Sequence, residues 1–207
     1  MGGFRYNNMS PADLYKQNKV IQETSKIPAL IAANIEAGGD GGVGGGTHFG
    51  HHVTIGATQD KENAYKLGYY GCKEAAAIGC NWTFAPIVDI NKNWRNCVVS
   101  SRCFSSEAEQ VLDMSKEYLR GAKDAGLASC MKHFPGDGLD ERDQHIVTTN
   151  NDMSVEEWEE NFGNVYRGMI DAGVEAVMIG HIRLPEMSRK LRPGIKDNEI
   201  MPATIAP

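Results

Sequence analysis

The sequence predicts an α/β protein with a parallel sheet. Four times along the chain an amphipathic helical pattern gives way to a short apolar strand pattern. The strands are continuous apolar runs rather than alternating ones, as expected of parallel strands covered on both faces. The helix-to-strand turns are one or two residues, whereas the strand-to-helix stretches (37–59, 90–105 and 134–153) are long, polar and glycine-bearing. One rim of the sheet therefore carries the elaborate loops.

Taken in order, the first helix is announced by Ser10-Pro11, an N-cap followed by proline at the first helical position, and runs to about Ser25. The strand ALIAANIE (29–36) follows. The second helix spans roughly Asp60 to Ile78 with Ala64, Leu67, Gly71, Ala75 and Ile78 on one face, and stops at Gly79 before CNWTFAPIVDI (80–90). A capping box, Ser106-x-x-Glu109, opens the third; Val111, Ser115, Tyr118, Ala122 and Ala125 form its stripe, and Gly126 precedes LASCMKHF (127–134). The fourth repeats the device, with Ser154-x-x-Glu157, a stripe of Trp158, Phe162, Val165, Met169 and Ala172, and Gly173 before VEAVMIGHI (174–182). Each strand ends in polar chemistry: Asn34 and Glu36, Asp89, Lys132 and His133, and His181. That is where an α/β enzyme keeps its site, whether its sheet closes as a barrel or stays open.

Composition narrows the function. With 27 acidic against 21 basic side chains in 207 residues, the net charge of -6 gives no basic footprint for a nucleic-acid partner. No apolar run approaches the roughly 18 to 20 residues of a membrane span, and the N-terminal stretch lacks the build of a signal peptide, so a soluble, cytoplasmic chain is expected. Five cysteines without zinc spacing are expected to be reduced and mostly buried. The glycine run 38–46 lacks the GK[ST] ending of a P-loop, and His48, His51 and His52 lack a helical ligand frame, so a solvated loop is expected there with neither cofactor nor metal.

The stretch KHFPGDGLDERDQH, Lys132 to His145, gathers two histidines, a lysine, an arginine, a glutamate and three aspartates where the hydrophobic pattern has just stopped. It resembles the signature of glycoside hydrolase family 3, KHFPGxG followed by a short loop and Asp-x-His. SSRCF (100–104), NWTFAPIVDINKNWRN (81–96), IEAGG (35–39), VMIGHIRLP and MPATIAP resemble further family segments in the same order, so the likeness covers nearly the whole chain.

That resemblance implies a TIM-like (β/α) barrel, incomplete in this chain, with residues 1–207 its N-terminal part. It implies retaining cleavage of β-glycosides, with β-N-acetylglucosaminides as substrates of the branch that carries Asp-x-His; a β-glucosidase-type member is the alternative. His145 is then the acid/base and Asp143 its orienting partner, where most retaining glycosidases use a second carboxylic acid. An imidazole titrating near pH 6.5 suits both halves of the task. Substrate-binding roles fall to Lys132, His133, Arg102, Asn34, Glu36, Asp89 and His181. Two positions depart from the family pattern: Asn34 stands where an aspartate is usual, and Asp137 where histidine or leucine is common.

The family's nucleophile is expected beyond Pro207, together with the closing strands. A fragment of this kind is expected to expose sheet edges and so to be unstable, aggregated or paired with a second copy, and to be inactive alone. The competing expectation is a non-catalytic carbohydrate-binding or self-associating piece.

Overall fold

Helices and strands alternate as the pattern requires. In the computed structural model, which describes residues 2–6 and 9–206, β1 (Gly3–Arg5) leads to α1 (Pro11–Thr24), β2 (Leu30–Ala33), a short α2 (His52–Ala57) and α3 (Lys61–Ala77). Then come β3 (Trp82–Thr83), α4 (Ala108–Asp124), β4 (Ala128–Phe134), β5 (Thr149–Asn150), α5 (Val155–Trp158) and α6 (Asn164–Asp171). β6 (Ala176–Ile179), β7 (Ile182–Arg183) and α7 (Pro185–Leu191) complete the order. Strands β1, β2, β3, β4 and β6 lie side by side in chain order, all parallel, while β5 pairs in parallel with β7. A doubly wound sheet would reverse its order at a switch point. This sheet advances in one direction and curls into a half-barrel flanked by helices, an incomplete TIM-like barrel.

Local chemistry sets most boundaries where the sequence puts them. Ser10 caps α1 by accepting the Asp13 N–H, with Pro11 in the first turn. The Ser154–Glu157 capping box is formed in both directions. Gly79, Gly126 and Gly173 all take left-handed φ, of 85°, 90° and 80°. After each, the next N–H reaches back five residues to a helix carbonyl: Cys80 to Ala75, Leu127 to Ala122, Val174 to Met169. The same C-terminal stop is thus used three times to turn a helix into a strand.

Four expectations change. No capping box forms at Ser106: α4 starts later, at Ala108 after Glu107, and the Glu107 N–H is taken by the Ser105 hydroxyl instead. The long apolar segment 80–90 yields a two-residue ladder, because Pro86 has no N–H to donate; contact with β4 resumes irregularly at Ile87–Lys132. The fourth helix passes through a π-helical turn, Glu159–Gly163; its stripe is buried from Trp158 and Phe162 through Val165 and Met169, but Ala172, expected on it, is exposed. Strand β6 is half-buried on one face, at Ala176 and Met178, and exposed on the other, at Val177 and Ile179, since β4 is its one paired neighbour among the described residues.

The core lies between the sheet and α3, α4 and α6. The predicted stripes of α3 and α4 are buried throughout, and Tyr118 and Phe162 are among the largest side chains fully out of solvent. Of the five cysteines, all free, Cys97 alone is exposed. Phe162 also supports the loop after β4, since a side chain at Gly136 would meet its ring. Phe162→Ala empties that site and is expected to lower the unfolding free energy by about 3–5 kcal/mol, read by urea denaturation.

Candidate active site

The strand ends of β2, β3 and β4 converge. Just past β2, Glu36 takes two hydrogen bonds from Arg102, Nε to Oε2 and Nη2 to Oε1, each 2.9 Å, and its Oε1 also meets Lys132 Nζ from β4. The Tyr118 hydroxyl, from α4, donates to the Ile35 carbonyl and fixes the backbone that presents Glu36. Lys132 is only 2% exposed, so its charge needs this partner. Burial alone would raise the Glu36 pKa; the Arg102 hydrogen bonds and the two cationic charges outweigh it and hold the carboxyl far below its usual 4.5. Lys132 itself is shifted down, because burial exceeds the pull of Glu36.

Next along β4, His133 Nδ1 lies 2.7 Å from Asp89 Oδ2, and its backbone N–H donates to Asp89 Oδ1 at 3.1 Å. Asp89 is fully buried and also accepts the Asp137 N–H at 2.8 Å. Asp137, noted in the sequence only as a departure, proves central: Asn96, Gly138 and Gln144 all donate to its carboxylate. Gly138 has no alternative there, since its φ is +114° and a Cβ would sit 2.0 Å from the Ile90 carbonyl oxygen.

The loop that follows carries Asp143 and His145. His145 Nδ1 lies 2.6 Å from Asp143 Oδ1, which also accepts the His145 backbone N–H at 2.8 Å. The imidazole is 63% exposed, so the nitrogen opposite Nδ1 is free of the pair. Those two hydrogen bonds lower the Asp143 pKa, and the Arg102 charge adds slightly to the effect. His181 lies exposed beside β7, its Nδ1 3.2 Å from Thr204 Oγ1 and its N–H on Gln144 Oε1.

A cleft of about 420 Å³ opens beside Arg102 and Glu36, lined also by Asn34, Asp40, His48 and His51. The histidine-bearing segment is therefore not simply a solvated loop. His48 Nδ1 sits 2.7 Å from Asp40, His51 is exposed, and His52 is fully buried in α2, stacked on Phe104 at 4.1 Å. Burial pushes the His52 pKa down to about 3, so this ring is neutral. The spacing His52, Ile55, Gly56 is the helical signal that marks it as core. The glycine run wraps the end of β2, with Thr47 bound to Glu74, and among the described residues no group of His, Cys, Asp and Glu is arranged to hold a metal ion. Asn96 and Gln144 carry no signal in the sequence, because an amide gains its meaning here only from the buried carboxylate it meets.

Ionisable groups gathered at the C-terminal ends of successive parallel strands define an α/β barrel-type site. The chain belongs to glycosyl hydrolase family 3: the family's N-terminal domain matches residues 6–205. It is similar to a β-N-acetylglucosaminidase/β-glucosidase of Cellulomonas fimi, 44% identical over 206 residues, which span the whole of this chain and 36% of that protein. Among solved structures it is similar to the β-glucoside phosphorylase BglX, with 38% identity, a TM-score of 0.96, and coverage of 99% of this chain and 38% of that one. A family 3 β-N-acetylglucosaminidase from Paenibacillus sp. str. FPU-7 follows at 31% identity and TM-score 0.82, with 99% and 39% coverage. The chain thus spans under two fifths of the length of these relatives. Among the described residues no helix is long and apolar enough to cross a membrane.

The Glu36 pair gives a stability test. Glu36→Gln leaves Lys132 buried beside a neutral amide and is expected to cost about 3–5 kcal/mol, more than Glu36→Gln combined with Lys132→Met. Because the folded pKa of Glu36 is depressed, its contribution is present above the unfolded value of 4.5 and is lost as pH falls below it. Urea titrations through the acid range should show a shallower loss for Glu36→Gln than for the parent.

Proposed function

We propose that these residues form the sugar-binding and acid/base part of a retaining enzyme that cleaves terminal β-linked N-acetylglucosamine or glucose. The observation that carries the reading is the Asp143–His145 pair, an exposed imidazole held by a carboxylate on the loop that leaves the strand end bearing Lys132 and His133. Held through Nδ1, the His145 ring turns its other nitrogen outward, where it can protonate a leaving glycosidic oxygen. The neutral imidazole left behind can then take a proton from water as that water releases the sugar from a carboxylate nucleophile, which the family resemblance puts beyond residue 207.

Arg102, Lys132 and His133 supply N–H donors for ring hydroxyls, with Asn34, Glu36 and His181 completing the rim; Asp89, fully buried, reaches a sugar only through His133. Glu36 and Asp89 fix the orientation of Lys132 and His133 before a sugar arrives, which lessens the entropy lost on binding. Asn34 offers a neutral amide where a carboxylate would bind hydroxyls more strongly.

A second reading concerns the acceptor. One similar structure bears the name phosphorylase, and a neutral imidazole does not repel phosphate as an anionic carboxylate base would. Phosphate attack on the glycosyl-enzyme would form the sugar 1-phosphate and free the nucleophile carboxylate, with no water deprotonated. In the full-length protein containing this chain, ³¹P NMR of a turnover mixture with phosphate present separates the readings. A sugar 1-phosphate supports phosphorolysis, and free sugar alone supports hydrolysis.

His145→Ala is the test of the acid/base role in the same full-length protein. Substrates with sugar leaving groups should slow by roughly 10² to 10⁴, and nitrophenyl glycosides far less, because an activated phenol needs little protonation. Azide, which needs no base, should restore turnover of the trapped intermediate. Asp143→Asn should show a milder form of the same pattern. Equal losses on both substrates without azide rescue would sink the assignment.

A further inference from the structure

The loop that carries the Asp143–His145 pair is exposed, yet the residue between them is not. Gln144 is 4% exposed and turns inward. Its Nε2 donates to Asp137 Oδ2 at 2.6 Å, and its Oε1 accepts the His181 backbone N–H at 2.9 Å. A backbone N–H can only donate and an ionised carboxylate only accepts, so the two ends of this amide are fixed by their partners.

Asp137, 3% exposed, is anchored in turn. Its Oδ1 accepts from Asn96 Nδ2 and from the Gly138 N–H, each at 2.7 Å, and its own N–H is held by Asp89, the partner of His133. A continuous polar path therefore runs from the end of β4 through Asp89, Asp137 and Gln144 to the turn bearing the dyad. Burial and the neighbouring Asp89 charge both raise the Asp137 pKa, opposed by those three donors, so each donor matters to keeping a buried anion there. Within the turn, the Ile146 and Val147 N–H groups close onto the Asp143 carbonyl.

We propose that Gln144 is a positioning residue for the acid/base: clamped between the Asp137 carboxylate and the His181 backbone, it sets the Asp143–His145 dyad against the sugar site. This rests on the reading of His145 given above. It also gives a physical role to Asp137, which stands where the family pattern commonly has histidine or leucine. A displacement of the order of 1 Å in a proton donor is enough to lower turnover while leaving sugar contacts at Arg102 and Lys132 in place.

The experiment is a donor–acceptor exchange in the full-length protein at neutral pH. Gln144→Glu keeps the acceptor for His181 but sets an oxygen against Asp137. It is expected to lower kcat on sugar-linked substrates roughly 10- to 100-fold with KM little changed, and to spare nitrophenyl glycosides. Asp137→Asn alone should do the same, since two amide donors then face each other. The double variant Asp137→Asn/Gln144→Glu reverses the pair: the amide at position 137 donates to the carboxylate at position 144 and still accepts from Asn96 and Gly138. It should recover most of the lost turnover. Hydrogen exchange reads the clamp without turnover: the His145 and His181 amides should exchange faster in Gln144→Glu and regain protection in the double variant, while Ile31 and Cys130 amides in the sheet stay protected in both. Unchanged exchange in Gln144→Glu, equal losses on both substrate classes, or absence of recovery in the double variant would each overturn the proposal. If His145→Ala shows no leaving-group dependence, the acid/base reading fails, and the exchange data still decide whether Gln144 holds the turn.

Discussion

Three strand ends meet because one buried lysine must be neutralised. Lys132 projects from β4 into a region with almost no solvent, and a lone ammonium there would be prohibitive. Glu36, just past β2, answers it, and Arg102, from the loop after β3, shares the same carboxylate. Satisfying that charge requires the C-terminal ends of β2 and β4 to lie at one depth and the loop between β3 and α4 to fold over them. One carboxylate with two cations thus ties the ends of β2 and β4 and the loop before α4 into one polar rim.

A second buried anion organises the other half of the rim. Asp89 binds both the side chain and the backbone of His133 and holds the Asp137 N–H, so the loop after β4 is tied down at its root. From Asp137 the hydrogen bonds pass outward to Gln144 and His181. The two clusters touch at the adjacent residues Lys132 and His133. The rim is therefore stiff at its base and exposed at its tip, the arrangement an acid/base needs: a fixed origin and a free imidazole nitrogen.

Phe162 and Trp158 carry the same logic into the apolar core. The Trp158 indole N–H holds the Pro135 carbonyl, and Phe162 packs beneath Gly136, so the helix after the loop props the loop from below. Trp158 and Phe162 lie four residues apart and so face the loop together, and the helix passes through a π-helical turn at Glu159–Gly163 between them and α6. A local irregularity of this kind belongs to the packing and has no residue type of its own, which is why periodicity passes over it.

What the sequence determines by itself is short-range. Ser10, the Ser154–Glu157 box and the glycines at 79, 126 and 173 act through hydrogen bonds and φ preferences that span only a few residues, so the helix ends they mark are legible. Apolar runs gave the parallel sheet, and the ordered motifs gave the family. The tertiary structure decided what depends on a distant partner: His52 leaves the loop for the core on Phe104, and Glu36 meets Lys132 and Arg102. It also made Gln144, an unremarked amide between two motif residues, the one that faces inward. The physical reason is common to all of these: burial and hydrogen-bond satisfaction are properties of pairs, and these partners lie from 7 to 96 residues apart along the chain.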